Sequence, residues 1–401
     1  MVYETTEGQL KMLLTKKIKI CLKSEDENRL IQQAELCRQL YNLALEQRIM
    51  TYKGQKRKSL TVYDQKRELP EFKKDYPEFQ QIYNKYLSAT LFRLDKAFKG
   101  FFQRVRQNGV GKKGFPRFRG RNYFFTLEVP TMYVRVLSKR RIKLPQNIIA
   151  NLTEDIPENF NTIYITKNHT GWFISFPYEQ ELMELTPDDR TLAIDLGISK
   201  LVTAVNDDGE FIEFSHRKPS KKEMSRLDGL RSKRDKCVKG SRRARYLSTI
   251  YRKESRKWQN RVVDHLHKVS FYLCQGRTER NLIIGDLKPS EMISELRGLN
   301  RLVHNEWRLY MFVKMLGYKT IKFGRFLIKV NERGTSKTCS RCGVKKDMPL
   351  SQRIYRCPIC GLVMDRDRNS AVNIWQNVRG LRLWDNPGVL VQTRNLLCVS
   401  T

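Results

Sequence analysis

The chain has 401 residues, of which 77 are Lys or Arg and only 42 are Asp or Glu, so its formal net charge is +35. A surplus of this size favours binding to a polyanion, and nucleic acid is the first choice. The sequence contains no apolar run long enough to span a bilayer and no secretory pattern at its N-terminus, which argues against a membrane or secreted protein. We therefore expect a cytoplasmic protein.

The first half of the sequence predicts strands around a helical segment. Alternating polar and apolar residues predict a strand at 17–23, Ser24 followed by Glu27 is typical of a capping box, and an amphipathic helix follows. The Lys-rich stretch 52–76 is interpreted as a loop with short helical turns, and a second helix covers about 78–107. Four strand-like segments could join the first strand in a small β-barrel: 123–129, 132–137, 162–166 and 171–177.

A basic loop broken by Gly and Pro precedes these strands and mixes cations with aromatic rings. Such a mixture is typical of surfaces that contact phosphates and stack bases. For the two Phe rings, packing into the edge of the barrel is an equal alternative. The candidate nucleic-acid contacts of this loop are Lys112, Lys113, Phe115, Arg117, Phe118, Arg119 and Arg121.

The segment 181–190, with a Pro and two Asp residues, marks the predicted domain boundary. Three strands joined by tight turns follow, and they predict a hairpin sheet. Residues 220–276 form a very basic helical region, which we expect to be two helices hinged near Gly240 and Ser241. Its cations are expected to contact phosphate, and the candidates are Arg226, Arg242, Arg243 and Arg245. Further elements are predicted in the order strand 281–287, helix 301–316, strand 321–330 and helix 369–378.

Four of the nine cysteines form two C-x-x-C pairs separated by fourteen residues, and a Gly directly follows each pair. Turns of this kind direct two thiolates to one point, so two of them supply four ligands for tetrahedral zinc. Because protein fills all four positions, the zinc should be structural, and it should supply most of the folding free energy of the short segment 335–363. The predicted ligands are Cys339, Cys342, Cys357 and Cys360.

Two acidic positions indicate a second metal site. Asp195 ends a buried strand, where an ionised carboxylate is costly unless it is paired or bound to metal. Asp365 and Asp367 lie between the cysteine cluster and a predicted helix, where helix capping is the alternative role. Carboxylates brought together by the fold could bind Mg²⁺, and two such ions can hydrolyse a phosphodiester.

In these segments the sequence resembles the TnpB family of transposon-encoded RNA-guided nucleases, which are ancestral to type V CRISPR effectors. The resemblance covers nearly the whole chain in order. Its matching segments are 97–121, AIDLGISKLVTA at 193–204, TSKTCSRCG at 335–343, CPICG at 357–361 and DRDRNSAVNIW at 365–375.

The resemblance implies an α/β multidomain fold: an N-terminal wedge β-barrel with an inserted helical recognition bundle, then an RNase H-like RuvC domain with an inserted zinc ribbon. The implied boundaries are 1–186 for the wedge with recognition helices at about 25–107, 187–334 and 364–380 for the RuvC domain, 335–363 for the ribbon that contacts target nucleic acid, and 381–401 for a C-terminal tail.

The resemblance also implies the activity and the partners. A guide RNA from the transposon end would direct Mg²⁺-dependent cleavage of double-stranded DNA beside a short adjacent motif. The protein would hold the RNA–DNA heteroduplex as a monomeric ribonucleoprotein, without membrane contact, in the nucleoid of a prokaryotic cell. Polar side chains that could read the adjacent motif are Tyr52, Gln55, Lys56 and Ser59.

One catalytic position departs from the family. The first and third acids match Asp195 and Asp367, but the second is usually a Glu at the end of the central strand, where this chain has Gly285. Glycine offers no ligand to a metal. The second acid must therefore come from elsewhere if the site is active.

Three interpretations remain open. Asp286 could serve, although alternation along the strand would turn it to the other face. A relocated Glu could serve, as in certain eukaryotic Fanzor relatives, and Glu306 beside Trp307 is the best candidate, ahead of Glu291 and Glu295. This gives an expected catalytic and Mg²⁺-binding set of Asp195, Glu306 and Asp367. Alternatively, the site is inactive and the protein is an RNA-guided DNA-binding regulator.

Overall fold

The structure is a computed structural model. It describes residues 2–4, 10–54, 60–106, 114–121, 124–197, 199–286, 308–349, 351–381 and 383. The chain divides into two compact units, residues 1–180 and 181–401. Across the described ranges, every helix is too short or too polar to cross a membrane.

The N-terminal unit contains an eight-stranded sheet in the order β3-β7-β8-β2-β6-β5-β4, with β1 paired to β2. The pairs β1–β2, β2–β6, β3–β7, β4–β5, β5–β6 and β7–β8 are antiparallel. On β8 every second side chain is buried, so Trp172, Ile174 and Phe176 face the core. The strands are β1 Val2–Glu4, β2 Leu10–Cys21, β3 Leu127–Pro130, β4 Arg135–Ser138, β5 Arg141–Lys143, β6 Ile149–Leu152, β7 Thr162–Asn168 and β8 Gly171–Glu181.

Three helices lie between β2 and β3: α1 Ser24–Lys53, α2 Val62–Asp75 and α3 Asn84–Arg106. The long α1 and α3 bury the apolar stripes that their sequences predict, and they share one hydrophobic core with the sheet. The expectation of a loop at 52–76 was wrong. Thr61 and Asp64 form a reciprocal capping box that starts α2 within that Lys-rich stretch.

The capping box expected at Ser24 and Glu27 was also wrong. Ser24 is already the first helical residue, and Lys23 occupies the N-cap without a side-chain hydrogen bond. The first turn instead carries Glu25, Asp26 and Glu27, whose negative charges favour a helix N-terminus.

The second unit contains a five-stranded sheet in the order β11-β10-β9-β12-β13. The pairs β9–β10 and β10–β11 are antiparallel, whereas β12 is parallel to both β9 and β13. The strands are β9 Thr191–Asp195, β10 Lys200–Asn206, β11 Phe211–Ser215, β12 Asn281–Gly285 and β13 Phe326–Val330, and a two-stranded ribbon is formed by β14 Ile354–Arg356 and β15 Val363–Asp365.

The middle residues of β9 and β12 are apolar because both faces of this sheet are covered. On one face, Leu192, Ile194, Leu282 and Ile284 join a core with two helices, and on the other Ala193 and Ile283 join a second core with one helix. The helices of this unit in the part of the chain that the structure describes are α4 Lys221–Asp235, α5 Arg242–Gln275, α6 Leu309–Lys322 and α7 Arg366–Arg379.

The parallel pairing of β9 and β12 brings the carboxyl ends of these two strands together at one end of the sheet. Its register pairs Ile284 of β12 with Ile194 of β9, so both strands end one residue later, at Gly285 and Asp195. Helix α7 packs across this sheet with its first turn near the same edge. Residues 321 and 322, expected in the last long strand, belong to α6, and β13 starts only at Phe326.

Candidate functional site

Asp195 lies at the carboxyl end of β9 and is held by a hydroxyl pair from two other elements. Ser370 Oγ on α7 lies 3.1 Å from Asp195 Oδ1 and donates to it. Thr335 Oγ1 lies 2.8 Å from Ser370 Oγ. Each hydroxyl has one proton, and Thr335 Oγ1 donates its proton to the Glu332 carbonyl at 2.9 Å. Ser370 donates to one oxygen of Asp195 and thereby orients this carboxylate.

Asp367 lies in the first turn of α7, close to Asp195. Its neighbour Asp365 caps this helix, because Asp365 Oδ1 accepts from the backbone N–H groups of Asp367 at 2.9 Å and Arg368 at 3.2 Å. The second oxygen of Asp365 lies 3.6 Å from Lys200 Nζ. The Asp-Arg-Asp run thus has two roles: its first carboxylate builds the helix terminus, and its second is buried beside Asp195.

A third carboxylate, from Glu332, reaches the same place. Glu332 follows β13, the parallel neighbour of β12. An ideal Cβ built on Gly285 would lie 2.9 Å from Glu332 Cβ, 2.6 Å from Glu332 Cδ and closer still to Oε2. The carboxylate of Glu332 therefore occupies the volume that any side chain at position 285 would need.

The backbone of this turn is anchored to the groups around Asp195. The backbone N–H of Thr335 donates to the carbonyl of Glu332 at 3.1 Å, and Thr335 Oγ1 lies 2.9 Å from the same oxygen. Arg333 N–H donates to Asn331 Oδ1 at 2.9 Å and tightens the turn. Because Thr335 also contacts Ser370, the turn that carries Glu332 and the hydroxyls that orient Asp195 form one connected structure.

The pKa values of all three carboxyl groups are raised, and burial is the largest cause for each. Burial, then the charges of Asp367 and Glu332, raise the pKa of Asp195 to about 8. Burial and Asp365 raise the pKa of Asp367, while burial and Asp286 raise the pKa of Glu332. Three acids in this state need either protons or cations for neutralisation, so the donor set fits divalent metal ions.

Among the described residues, the four cysteines form a group whose ligand atoms all lie within 4.8 Å of one another.

Of the acids that the sequence offers in place of the usual Glu at position 285, the described residues include Asp286 alone. Asp286 exposes half of its side chain and lies 3.9 Å from Lys329, as strand alternation predicts. Glu291, Glu295 and Glu306 lie outside the described residues. Sequence reasoning missed Glu332, although one signal was present: it stands just after a predicted strand, and acids at adjacent parallel strand ends meet at one edge.

The four cysteines form a compact thiol cluster. Cys339 Sγ lies 3.6 Å from Cys360 Sγ, and Cys342 Sγ lies 3.5 Å from Cys357 Sγ. A tetrahedral zinc with Zn–S bonds of 2.3 Å separates its sulfurs by roughly 3.8 Å, so the geometry fits that ion. The backbone N–H of Cys360 points to Cys357 Sγ and is the main cause that lowers the pKa of this thiol to about 6.

Each C-x-x-C turn is followed by a glycine in the left-handed region, with φ of +79° at Gly343 and +71° at Gly361. The glycine turns the chain back so that Val344 accepts from Cys339 N–H and Leu362 from Cys357 N–H, both at 2.8 Å. A residue with a Cβ would be strained there. The glycine after each C-x-x-C pair is thus part of the ligand geometry.

Buried amide side chains connect the first C-x-x-C turn, which carries Cys339 and Cys342, to α7. Asn369 Nδ2 and Asn373 Nδ2 donate to the carbonyl of Thr338 at 2.7 and 2.8 Å, and Asn369 Oδ1 accepts from Ser340 N–H at 3.0 Å. Asn373 also donates to the carbonyl of Thr335 at 2.7 Å. The Asn residues of the DRDRNSAVN segment therefore hold the thiol cluster on the helix that carries Asp367.

The basic loop divides into exposed and packed side chains. Phe118 exposes 56% of its surface, whereas the ring of Phe115 stacks on Phe101 with centroids 4.7 Å apart. Packing therefore covers one face of Phe115 and leaves Phe118 as the accessible ring. The exposed cations of this loop are Arg117, Arg119 and Arg121, while Lys112 and Lys113 lie outside the described residues.

The basic helices present the other predicted cations. α4 and α5 are two helices separated at Gly240 and Ser241, as expected, and Ser241 caps α5. Arg242, Arg243 and Arg245 are exposed, whereas Arg226 lies 3.3 Å from Glu254.

Of the residues expected to read an adjacent motif, Tyr52 packs its ring against Phe102 and Phe115, each at 5.7 Å. Gln55, Lys56 and Ser59 lie outside the described residues.

Comparisons with known proteins bear on both halves of the chain. A family model described as "Probable transposase" (OrfB_IS605) matches residues 175–294, and one described as "Cas12f1-like, TNB domain" matches 310–374. A relative from Streptomyces pristinaespiralis, named "Putative RNA-guided DNA endonuclease", is 26% identical over 84% of this chain and 82% of its own length. A TnpB-like protein of Acanthamoeba polyphaga mimivirus is 34% identical over 148 residues, which are 36% of this chain and 28% of that protein.

The fold is similar to that of a solved protein, in a cryo-EM structure of a Cas12f1–sgRNA–target DNA complex. The TM-score is 0.51 at 12% sequence identity, and the match covers 91% of this chain and 98% of that one. Likeness at this identity concerns the fold, and it confirms the expected mixed α/β architecture.

Proposed function

Because this chain belongs to the TnpB family, we propose that it cuts double-stranded DNA at sites selected by a bound guide RNA. The observation that carries the proposal is the meeting of three carboxylates at one sheet edge, with Glu332 filling the space above Gly285. The sheet, with three antiparallel strands followed by two parallel ones, suits the RNase H-like core of a RuvC domain.

We propose that Asp195, Glu332 and Asp367 hold two Mg²⁺ ions. Such ions activate a water and stabilise the leaving oxygen of a phosphodiester. Ser370 orients Asp195, Asp365 positions Asp367 by capping α7, and Thr335 holds the turn of Glu332. Glu306, the residue expected from the sequence, remains the alternative second acid, and Glu332 is preferred because its carboxylate lies at the position that Gly285 leaves open.

The four thiols are proposed to bind one structural zinc. Their sulfur separations fit the ion, and the amides of Asn369 and Asn373 connect the cluster to α7. Zinc would therefore support the active site as well as the ribbon, since both depend on the position of this helix.

The exposed arginines of the basic loop and of α5 are proposed to contact the phosphates of the guide RNA and the RNA–DNA heteroduplex. Phe118 is the ring available for stacking on a base. We propose a monomeric ribonucleoprotein whose RNA comes from the transposon end and whose target lies beside a short DNA motif.

The test uses the complete protein purified with the RNA that it carries. The RNA is sequenced, and duplex DNA containing its complement is incubated with the complex and Mg²⁺ or EDTA. Double-strand cleavage in Mg²⁺ by wild type, with binding but no cleavage by Asp195→Ala, supports the proposal. Target binding without cleavage by wild type would instead indicate a guided regulator, and absence of RNA would remove the basis of guidance.

A further inference from the structure

A row of three polar side chains crosses the sheet of the second unit. The strand register pairs Thr203 of β10 with Asp195 of β9 on one side and with Glu213 of β11 on the other. Residues that lie directly opposite each other in an antiparallel pair project to the same face of the sheet. The row therefore places a threonine hydroxyl between the carboxylate that is proposed to bind Mg²⁺ and a second carboxylate.

Helix α7 covers this row. On each of the three strands, the residue two positions away packs into the core that the sheet shares with α7, so the row faces that helix. Ser370 of α7 lies 3.1 Å from Asp195, and Arg368 of the same helix lies 2.7 Å from Glu213. Thr203 lies on the strand between these two contacts, and only 1% of its surface is exposed.

The hydroxyl of Thr203 is buried without a hydrogen-bond partner in the part of the chain that the structure describes. A buried polar group without a partner is costly and rare in folded proteins. Valine has the same branched shape and would occupy this strand position without that cost, because it carries a methyl group in place of the hydroxyl. The hydroxyl therefore points to a state of the site in which it has a partner.

The two neighbouring carboxylates differ in their need for a further donor. Glu213 Oε1 already accepts from Lys200 at 2.8 Å and from Arg368 at 2.7 Å, so two positive charges neutralise this group. The donor to Asp195 is the uncharged hydroxyl of Ser370. A carboxylate has about four lone-pair sites, so Asp195 can accept from a second hydroxyl and still bind a cation.

The separation across the strand pair suits a contact between Thr203 and Asp195. The Cβ atoms of directly opposite residues in an antiparallel pair lie about 4.5–5.5 Å apart. The hydroxyl of a threonine and the carboxylate of an aspartate both extend from Cβ into that gap. Rotation about the Cα–Cβ bond of Thr203 exchanges the hydroxyl with a methyl group of similar size, so it turns the hydroxyl toward Asp195 at little cost in packing.

We propose that Thr203 is a positioning residue that donates its hydroxyl proton to the ionised carboxylate of Asp195 when that carboxylate binds Mg²⁺. Ser370 and Thr203 then hold Asp195 from two elements, the helix above the sheet and the neighbouring strand. Donors around a metal ligand fix its orientation, and removal of one costs about 10–100-fold in metal affinity. The inference rests on the proposed function because it takes Asp195 as a ligand of Mg²⁺.

The test separates the hydroxyl from the packing with three variants of the full-length chain. Thr203→Val removes the hydroxyl and keeps the branched shape, whereas Thr203→Ser keeps the hydroxyl and removes the methyl group. Thr191→Val is the matched control, because Thr191 is also a buried strand residue of this sheet and lies at the other end of β9. Denaturant unfolding without Mg²⁺ measures the structural role of each side chain.

Mg²⁺ binding is measured from the rise in the unfolding temperature of the RNA-free chain as Mg²⁺ is added, with Asp195→Ala as the reference for other sites. We expect Thr203→Val to match or exceed wild type in stability without Mg²⁺, but to need about tenfold more Mg²⁺ for the same rise. Thr203→Ser should be less stable and keep the wild-type Mg²⁺ response, and Thr191→Val should keep it too. Guided cleavage should follow the Mg²⁺ response of each variant.

Two kinds of result overturn the inference, and they differ in what they say about the metal site. An unchanged Mg²⁺ response in Thr203→Val, or a lost response in a folded Thr203→Ser, removes the role of the hydroxyl and leaves the metal site standing. An absent wild-type response, or one that Asp195→Ala retains, overturns the metal site together with the inference. If Thr203→Val does not fold, Thr203→Ala replaces it, since this variant differs from Thr203→Ser by the hydroxyl alone.

Discussion

Replacement of Gly285 by Ala should damage catalysis without touching any carboxylate. The added Cβ would lie 2.6 Å from Glu332 Cδ and 2.9 Å from Glu332 Cβ, whereas ordinary contact begins at 3.4 Å. The carboxylate must therefore move by about 0.8 Å or more, and a misplacement near 1 Å in a catalytic arrangement costs on the order of 100-fold in rate. The substitution to Ala introduces no backbone strain of its own, because Gly285 belongs to the regular strand β12.

The assay is single-turnover cleavage of guide-matched duplex DNA at saturating Mg²⁺. Gly229→Ala is the matched control, since a Cβ at Gly229 meets no atom within 4 Å. The double variant Gly285→Glu with Glu332→Gly moves the acid to the strand end and vacates the space, and it should recover activity that either single change loses. If Gly285→Ala cuts as fast as Gly229→Ala, Glu332 is not part of the catalytic arrangement.

Three further predictions concern the supports of the site and its stability. Ser370→Ala should lower the affinity for Mg²⁺ or the cleavage rate by about 10–100-fold, because Asp195 loses the donor that orients it. The measurement is a titration of Mg²⁺ in the cleavage assay, and an unchanged Mg²⁺ dependence would contradict the prediction. Cys357→Ser should lower the zinc content, measured by elemental analysis, from one ion per chain. It should also reduce cleavage, because the thiol cluster supports the position of α7. Full zinc occupancy in this variant would refute the thiol site. Burial lowers the pKa of His216 to about 4, so the unfolded chain binds this proton more tightly and the His216 contribution to stability should fall by about 2.5 kcal/mol as pH drops from 6.5 to 4. Asp195, whose pKa is raised to about 8, contributes in the opposite direction, so the loss is measured as the difference between wild type and His216→Gln in chemical denaturation at both pH values. The amide of His216→Gln can still donate to the Gly197 carbonyl, and this variant should lose less stability than wild type by about that amount.

The thiol cluster and two acids could be predicted because their signals are local. The spacing of two C-x-x-C pairs predicts that four thiols meet, and the structure brings the four sulfurs within 4.8 Å of one another. Asp195 ends an apolar strand, and Asp367 follows the ribbon, so each could be recognised by its neighbours. Their meeting at one edge is a consequence of the sheet topology that the family resemblance implied.

Glu332 could not be predicted in the same way because its position depends on a pairing between distant strands. Only the parallel register of β12 and β13 brings the turn after β13 above Gly285. Glu306 has a local argument, its neighbour Trp307, and stays a prediction because both residues lie outside the described ranges. The lack of a side chain at Gly285 is the stronger indication, since the space that it leaves can be filled by a side chain from the adjacent strand end, as Glu332 fills it here.

The missed helix α2 has a different physical cause. Its residues are strongly polar and include Pro70, and Val62 and Gln65 are its buried residues, so composition gives little sign of a helix. Thr61 and Asp64 start it through a reciprocal cap, with Asp in place of the usual Glu or Gln. Local capping therefore decided a helix that composition alone assigned to a loop.

The most direct measurement compares Glu332→Gln with Glu306→Gln in guided cleavage. Both variants are purified with their RNA, matched for RNA content and target binding, and assayed for double-strand cuts with Mg²⁺. We expect Glu332→Gln to bind the target without cutting it and Glu306→Gln to cut like wild type. Cleavage by Glu332→Gln at the wild-type rate, with loss in Glu306→Gln, would contradict the assignment of Glu332 as the second acid.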